Sequence, residues 1–580
     1  MLDPPLRYNH ASGSGEARAD REEPTSSLMP RTLPVFYDVQ LFIHCSPRKT
    51  DIVNLPSRLD IAARAMLADL EVDAVTVPLF QLSLATLPED ELLRVLGFLG
   101  TKELLQSRAV CRRLRDLALH PSLWRSRSLG SLNMNIPVQL VATTLRLAPC
   151  LDKLYLRMNK REHPHQLGTL LVSTNCAIRC LDVYASLSNG LYTAMALERQ
   201  AALGRLNALT VTLCGDYTGG SYEDSSKYSS EVWLLLNKIL HTQGLASVEV
   251  KNLWFRETET FPQEGGLIKA AKSNIPVPPS LLRLVYEPGL DDAANLTSYL
   301  HWHASTLQVV HFSSEHPHAA VTPFLCSLPH LRELQCAFLE NMPALLQCSE
   351  LKSLHLFVNV DDSTRPLLPG VEQYIRTAVT RLQTLTLEYP NPVNSDPVCV
   401  GAVNLLLNLA GPSKSAAPAL VNLTLKYTYG DLDVFAPQPQ LPPLAAVLHR
   451  LKHLVTLDLN GPPTPSFFAA MDGEVLPSLK RLSFRADDPD WGWGCPHEWC
   501  HGEEPRAILR RYPQLHLVVC PGHDMADPFC DEHYCHEFES LYIYILFSHA
   551  VREHCDQDHS LGDFSSKEDD QKAVDFHIVL

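Results

Sequence analysis

The sequence predicts an α/β fold: a long solenoid of strand–helix repeats closing into a horseshoe, preceded by a small all-α module. Three observations predict it. An apolar hexad, L-x-x-L-x-L with tolerant substitutions, recurs about a dozen times from residue 151 onward. Helical stretches lie between the copies, as in Val138 to Leu147, Val232 to His241 and Val403 to Ala410. A compact run of short amphipathic segments, residues 84–130, stands in front of the array.

The hexads read Leu151-Leu154-Leu156, Ile178-Leu181-Val183, Leu206-Leu209-Val211, Leu245-Val248-Val250, Leu281-Leu284-Tyr286 and Leu307-Val310-Phe312. They continue as Leu331-Leu334-Cys336, Leu351-Leu354-Leu356, Leu382-Leu385-Leu387, Leu420-Leu423-Leu425, Leu454-Leu457-Leu459 and Leu479-Leu482-Phe484, and a degraded copy at Tyr512-Leu515-Leu517 closes the array. First positions from 151 to 479 take eleven steps, a mean period of about 30, slightly above the usual leucine-rich repeat. A strand followed by a helix at this period cannot bury its apolar face alone, whereas stacked copies can. The leucine-rich-repeat solenoid is therefore placed at residues 131–520.

In the module, Pro88 suits the first helical position, and Glu89, Asp90 and Glu91 suit the positive end of a helix dipole. Leu92, Leu96 and Leu99 follow at i, i+4 and i+7 as one apolar stripe that Gly100 ends. Thr101 is expected to cap a second helix carrying Leu104 and Leu105, and a third runs through Cys111 to Ala118 and stops near Pro121, before Trp124. Forty residues make a small core, so much of this leucine surface is expected to need a partner.

Leu87-Pro88-Glu89-Asp90-Glu91-Leu92-Leu93-Arg94-Val95-Leu96-Gly97-Phe98-Leu99, with Leu104-Leu105, Val110-Cys111-Arg112-Arg113-Leu114-Arg115 and Pro121-Ser122-Leu123-Trp124 in order behind it, resembles an F-box. With the repeats that follow, the chain looks like an F-box/leucine-rich-repeat protein, although the F-box resemblance covers only about 40 residues of 580. That resemblance implies a non-catalytic substrate receptor of a Skp–cullin–F-box ubiquitin ligase. The F-box would dock a Skp-type adaptor, and through it a cullin-RING scaffold, while the repeats bind an unidentified target protein. Carried over by position, the adaptor surface would comprise Leu87, Pro88, Leu92, Leu96, Leu99, Leu105, Val110, Cys111 and Trp124. Leu114 stands where many family members have tryptophan, and Gly97 where a better helix former is common, which implies weaker docking. Two plainer readings stand beside this one: a helical cap burying the same leucines against the first repeat, and a repeat scaffold or inhibitor with no link to ubiquitination.

Two surfaces are candidates for target binding. Alternate residues of each strand should share the open, concave face: Lys153, Tyr155, Arg157, Asp182, Tyr184, Glu249, Lys251, Arg283, His311, Glu333, His355, Glu388, Lys426, Asp458, Arg481 and Arg485. Long insertions at about 214–230, 252–265, 388–398, 426–442 and 485–504 follow strands and precede helices, so all should project from one rim. They carry Tyr217, Tyr222, Trp254, Phe255, Tyr389, Tyr427, Tyr429, Trp491 and Trp493, and aromatic residues are enriched at interface hot spots.

Other classes are disfavoured. The formal net charge of -16 lacks the basic footprint of non-specific nucleic-acid binding. No phosphate-binding glycine loop, nucleophile elbow or HExxH pair is present. The N-terminus has no apolar signal region, Leu541 to Phe547 is too short to span a bilayer, and sixteen cysteines lack a disulfide framework. These features point to a cytoplasmic or nuclear protein with no membrane partner. Residues 1–33 read as disordered, and 34–83 as partly ordered, with a strand from Val35 to Ile43 and a helix from Leu59 to Leu70. Residues 521–580 form a Cys/His-rich extension ending in an acidic tail. Cys495, His497, Cys500, His501, Cys520, His523, Cys530, His533, Cys535, His536, His549, His554, Cys555 and His559 match no recognised zinc-finger order, and zinc, redox and purely structural roles stay open. No cofactor is implied.

Overall fold

The computed structural model describes residues 87–130, 136–158, 164–214, 217–218, 221–222, 229–252, 278–287, 293–312, 320–389, 404–411, 417–427, 440–459, 463–471, 475–486, 503–521, 543–547 and 573–577. All of them belong to the second of two compact units, Leu79–Leu580. The expected strand at 35–43, the helix at 59–70 and the acidic tail lie outside the described residues.

The helical module contains α1 (Glu89–Gly97), α2 (Thr101–Ser107), α3 (Arg112–Leu117) and α4 (Pro121–Trp124). Its strands follow as β1 (Ser128–Leu129), β2 (Cys150–Arg157), β3 (Ala177–Ser186), β4 (Ala208–Cys214), β5 (Tyr217–Thr218), β6 (Ser221–Tyr222), β7 (Ser247–Asn252), β8 (Arg283–Glu287) and β9 (Val309–Phe312). The rest are β10 (Glu333–Cys336), β11 (Ser353–Phe357), β12 (Thr384–Tyr389), β13 (Asn422–Tyr427), β14 (Thr456–Leu459), β15 (Arg481–Ala486), β16 (His516–Pro521), β17 (Ile543–Phe547) and β18 (Ala573–His577).

Sixteen of these strands form one sheet in sequence order, with only the β5–β6 pair set apart. The fourteen strands from β1 to β16 run parallel, so each connection must cross back over the sheet. Helices such as Val138–Leu147, Gly190–Ala202, Ser229–Leu240 and Leu368–Ala378 make those crossings. One carbonyl just before each strand often bonds the next strand, as where the Gln383 N–H donates to Lys352 O at 2.8 Å and the Val421 N–H to Gln383 O at 2.8 Å.

The hexads explain this order. All three apolar positions of every copy, including Tyr512-Leu515-Leu517, are buried. Register keeps them in rows: Leu354 pairs with Leu385, which pairs with Leu423, which pairs with Leu457. One-residue slippage would move a whole row to the other face, so burial on one side fixes the pairing.

The sheet does not stop at residue 520. β17 joins β16 antiparallel and β18 joins β17 parallel, so the extension contributes two strands. Within the apolar run that begins at 541, Ile543–Phe547 is sheet structure, and no described helix is long and apolar enough to cross a membrane.

Candidate functional site

The helical module is built around Trp124, which is 0% exposed and donates its Nε1–H to Ala118 O at 2.8 Å. Pro88 precedes α1, and the Arg113 guanidinium donates to Leu87 O at 2.5 Å, tying the start of the module to α3. Cys111 is the N-cap of α3, its Sγ accepting from the Leu114 N–H at 3.5 Å. Gly100, rather than Thr101, is the N-cap of α2, and Thr101 is its first residue. Gly97 is the last residue of α1, not an interior one, so the expected propensity penalty is small.

The expected adaptor-surface residues divide by exposure in this structure. Leu92, Leu96, Leu99, Leu105 and Trp124 are buried, Leu96 at 0% exposure. The i, i+4, i+7 stripe that marks Leu92, Leu96 and Leu99 as apolar places them on the covered face of α1 and its exit. Pro88, Val110 and Cys111 are exposed, and Leu87 is half-buried. Phe98, absent from the expected set, is 63% exposed, and Val110 is 59% exposed. Phe98 lies six residues after Leu92, off the leucine stripe, and an apolar residue off-stripe is the signal that marks it.

The open face of the sheet carries the expected alternate residues in ladders. Lys153 Nζ sits 3.3 Å from Asp182 Oδ2, and the Arg157 guanidinium lies 5.2 Å over the Tyr184 ring. Lys251 pairs with Glu249 at 2.6 Å. His311 Nε2 bonds Glu333 at 2.6 Å, and His355 Nε2 bonds Glu388 at 2.9 Å. Burial raises the carboxyl pKa of Asp182, Glu287 and Asp458, while the bond from His311 lowers that of Glu333. Arg283 and Lys426 are exposed and Arg481 half-buried on the same face, whereas the side chain of Arg485 lies outside the described residues. Tyr155 departs from expectation. It is buried, and Gly130 packs closely against its backbone carbonyl and Cβ.

The rim set divides. β4, β7, β12, β13 and β15 all precede expected insertions, and being parallel they release those insertions at one edge of the sheet. Tyr217 pairs with Tyr222 across the antiparallel β5–β6 hairpin. Tyr389 and Tyr427, however, are 2% and 6% exposed, so neither belongs to an exposed rim. Each lies two residues beyond a buried hexad leucine and shares its inward face. Trp254, Phe255, Tyr429, Trp491 and Trp493 lie outside the described residues, as does the Cys/His cluster apart from the backbone of Cys520. Among the described residues no group of three or more His, Cys, Asp or Glu is arranged to hold a metal.

A protein-family model described as F-box-like matches residues 84–130, the segment that contains the whole helical module and β1. A search of curated proteins finds no match to the chain. The chain therefore carries an F-box-like domain at its described N-terminal end.

Proposed function

We propose that this protein is a substrate-receptor subunit of a Skp–cullin–F-box ubiquitin ligase, its strand–helix array a leucine-rich-repeat solenoid that holds a target protein. The observation that carries the reading is the F-box-like match over 84–130, directly continuous with a parallel repeat array. F-box domains typically bind Skp-type adaptors, and the exposed apolar pair Phe98 and Val110, with Pro88 and Cys111, is the surface offered to one here. The chain supplies proximity and orientation, and the bond-making chemistry belongs to its partners.

Target binding falls to the open face and to the strand-end edge from which the insertions emerge. Tyr217, Tyr222, Trp254, Phe255, Tyr429, Trp491 and Trp493 stay in the proposed rim, and Tyr389 and Tyr427 leave it.

Reconstitution tests the reading. The full chain, the Skp-type adaptor, a cullin–RING scaffold and a charged conjugating enzyme should together transfer ubiquitin to a protein captured by the repeats. Transfer should fail when Phe98→Asp and Val110→Asp are combined. Captured protein without transfer, in the wild-type complex, would instead favour the second reading, a repeat scaffold outside ubiquitination. Burial of Leu96 and Trp124 is the observation that favours that alternative, because the module does not need a partner to cover them.

A further inference from the structure

The module and the sheet meet without a linker, and several separate contacts set the angle between them. Ser128 and Leu129, the last residues before Gly130, pair in register with Lys153 and Leu154. The Arg127 carbonyl accepts from the Asp152 N–H at 2.8 Å, so its backbone belongs to the sheet. Its side chain reaches the other way. The guanidinium donates to Leu99 O at 2.5 Å, Gly97 O at 3.2 Å and Leu96 O at 3.3 Å, all at the end of α1. It also donates to Leu123 O at 2.5 Å. One residue therefore ties the carbonyl end of the first helix, where a cation is favoured, to the first strand.

Two further contacts constrain the same junction. Gly130 has φ +102°, and a Cβ there would lie 2.6 Å from Tyr155 O, so the turn leaving the module is pressed against β2. Arg205, just before β4, donates to Arg125 O at 2.9 Å and to Ala177 O at 3.5 Å, bridging the module's exit to β3. A tethered domain would show a polar linker and few crossing contacts. Here the crossing contacts are backbone ladder, forked guanidinium and close glycine packing.

We infer that Arg127, supported by Gly130 and Arg205, is a positioning residue that makes the F-box-like module and the open sheet face one body. Its consequence rests on the proposed function: a target on the sheet is presented to the ligase at one angle, so only target lysines lying in that direction receive ubiquitin. The geometry itself does not depend on that reading.

Distance measurement on the full-length chain tests it. Spin labels carried by non-natural amino acids at Lys102 in α2 and Lys352 beside β11 leave the native cysteines untouched. Wild-type protein should give one narrow distance distribution. Arg127→Ala with Arg205→Ala should widen it about twofold, the behaviour of a module freed from its interface. Arg127→Lys, which keeps the charge but cannot reach the α1 carbonyls and Leu123 together, should give an intermediate width. Arg205→Ala alone removes contacts outside the module's interior, and a modest widening there keeps the test open if Arg127→Ala fails to fold. A broad wild-type distribution, or an unchanged width in the double variant, overturns the inference. Loss of adaptor binding with the narrow wild-type distribution intact would count against the proposed function and not against the coupling.

Discussion

Tyr389 and Tyr427 occupy the same register on neighbouring strands and stack with ring centroids 5.7 Å apart. They lie on the buried side of the sheet, while Glu388 and Lys426, one residue earlier, lie on the open side. The two phenols differ: Tyr427 Oη donates to Gln440 Oε1, whereas Tyr389 Oη is buried with no hydrogen-bond partner among the described residues.

The pair should therefore respond differently to loss of the hydroxyl. Tyr427→Phe leaves the Gln440 carbonyl uncompensated and should cost about 1–3 kcal/mol. Tyr389→Phe removes an unsatisfied polar atom and should be neutral or mildly stabilising. Thermal midpoints of the two variants check this, and neither variant should alter target capture.

The module's interior should behave as a packed core. Leu96→Ala should cost about 2–5 kcal/mol, and Trp124→Phe, which orphans Ala118 O, about 1–3 kcal/mol. Thermal unfolding followed by tryptophan fluorescence measures the first loss, and amide exchange in α1 to α4 measures both.

Gly130→Ala should also destabilise. The residue sits at φ +102°, and its added Cβ would press on the Tyr155 backbone at 2.6 Å, which is not a contact that a rotamer change relieves. About 1–3 kcal/mol is the expected loss for forcing this conformation, before the clash is counted. Gly204, also at positive φ (+72°) but with open space around its Cβ position, serves as the control and should lose less.

Acidification should weaken the repeat array through His303. This imidazole is buried, the Ser280 N–H points at its Nδ1 at 3.4 Å, and burial pushes its pKa down to about 4. The unfolded chain, with an ordinary histidine near 6.5, takes up a proton first as pH falls. Stability should hold above about pH 6.5, fall from there towards about pH 4, and lose on the order of 3 kcal/mol from this group across the window. His303→Gln should flatten that part of the profile of thermal midpoint against pH.

Much of the sheet was legible in the sequence because its signal is periodic. Each hexad places three apolar residues on one face, and all thirteen triplets are buried. The helices at 138–147 and 229–240 match their patterns to within a few residues. Parity alone also settles Tyr389 and Tyr427: counting by two from Leu385 or Leu423 puts each on the inward face. Insertion length taken without strand parity points them to the rim instead. The strand at 573–577 carries no hexad, and its pairing through β17 depends on long-range order that a local pattern does not record. In the module, composition identified the apolar residues but not their direction. A leucine stripe marks a helix face that is covered, and here Leu92, Leu96 and Leu99 are buried within the chain itself. Phe98 and Val110 stand outside the stripe for the same reason that they are exposed.

The proposed receptor role requires the exposed pair Phe98 and Val110 to meet an adaptor. The direct measurement is the affinity of the full-length chain for a purified Skp-type adaptor, with and without Phe98→Asp combined with Val110→Asp. Both side chains are largely exposed, so the substitutions should change stability by no more than about 0.5 kcal/mol each. Tight wild-type binding that weakens about 10- to 100-fold in the folded variant is the predicted result. No measurable wild-type binding, or equal binding by the variant, would contradict it.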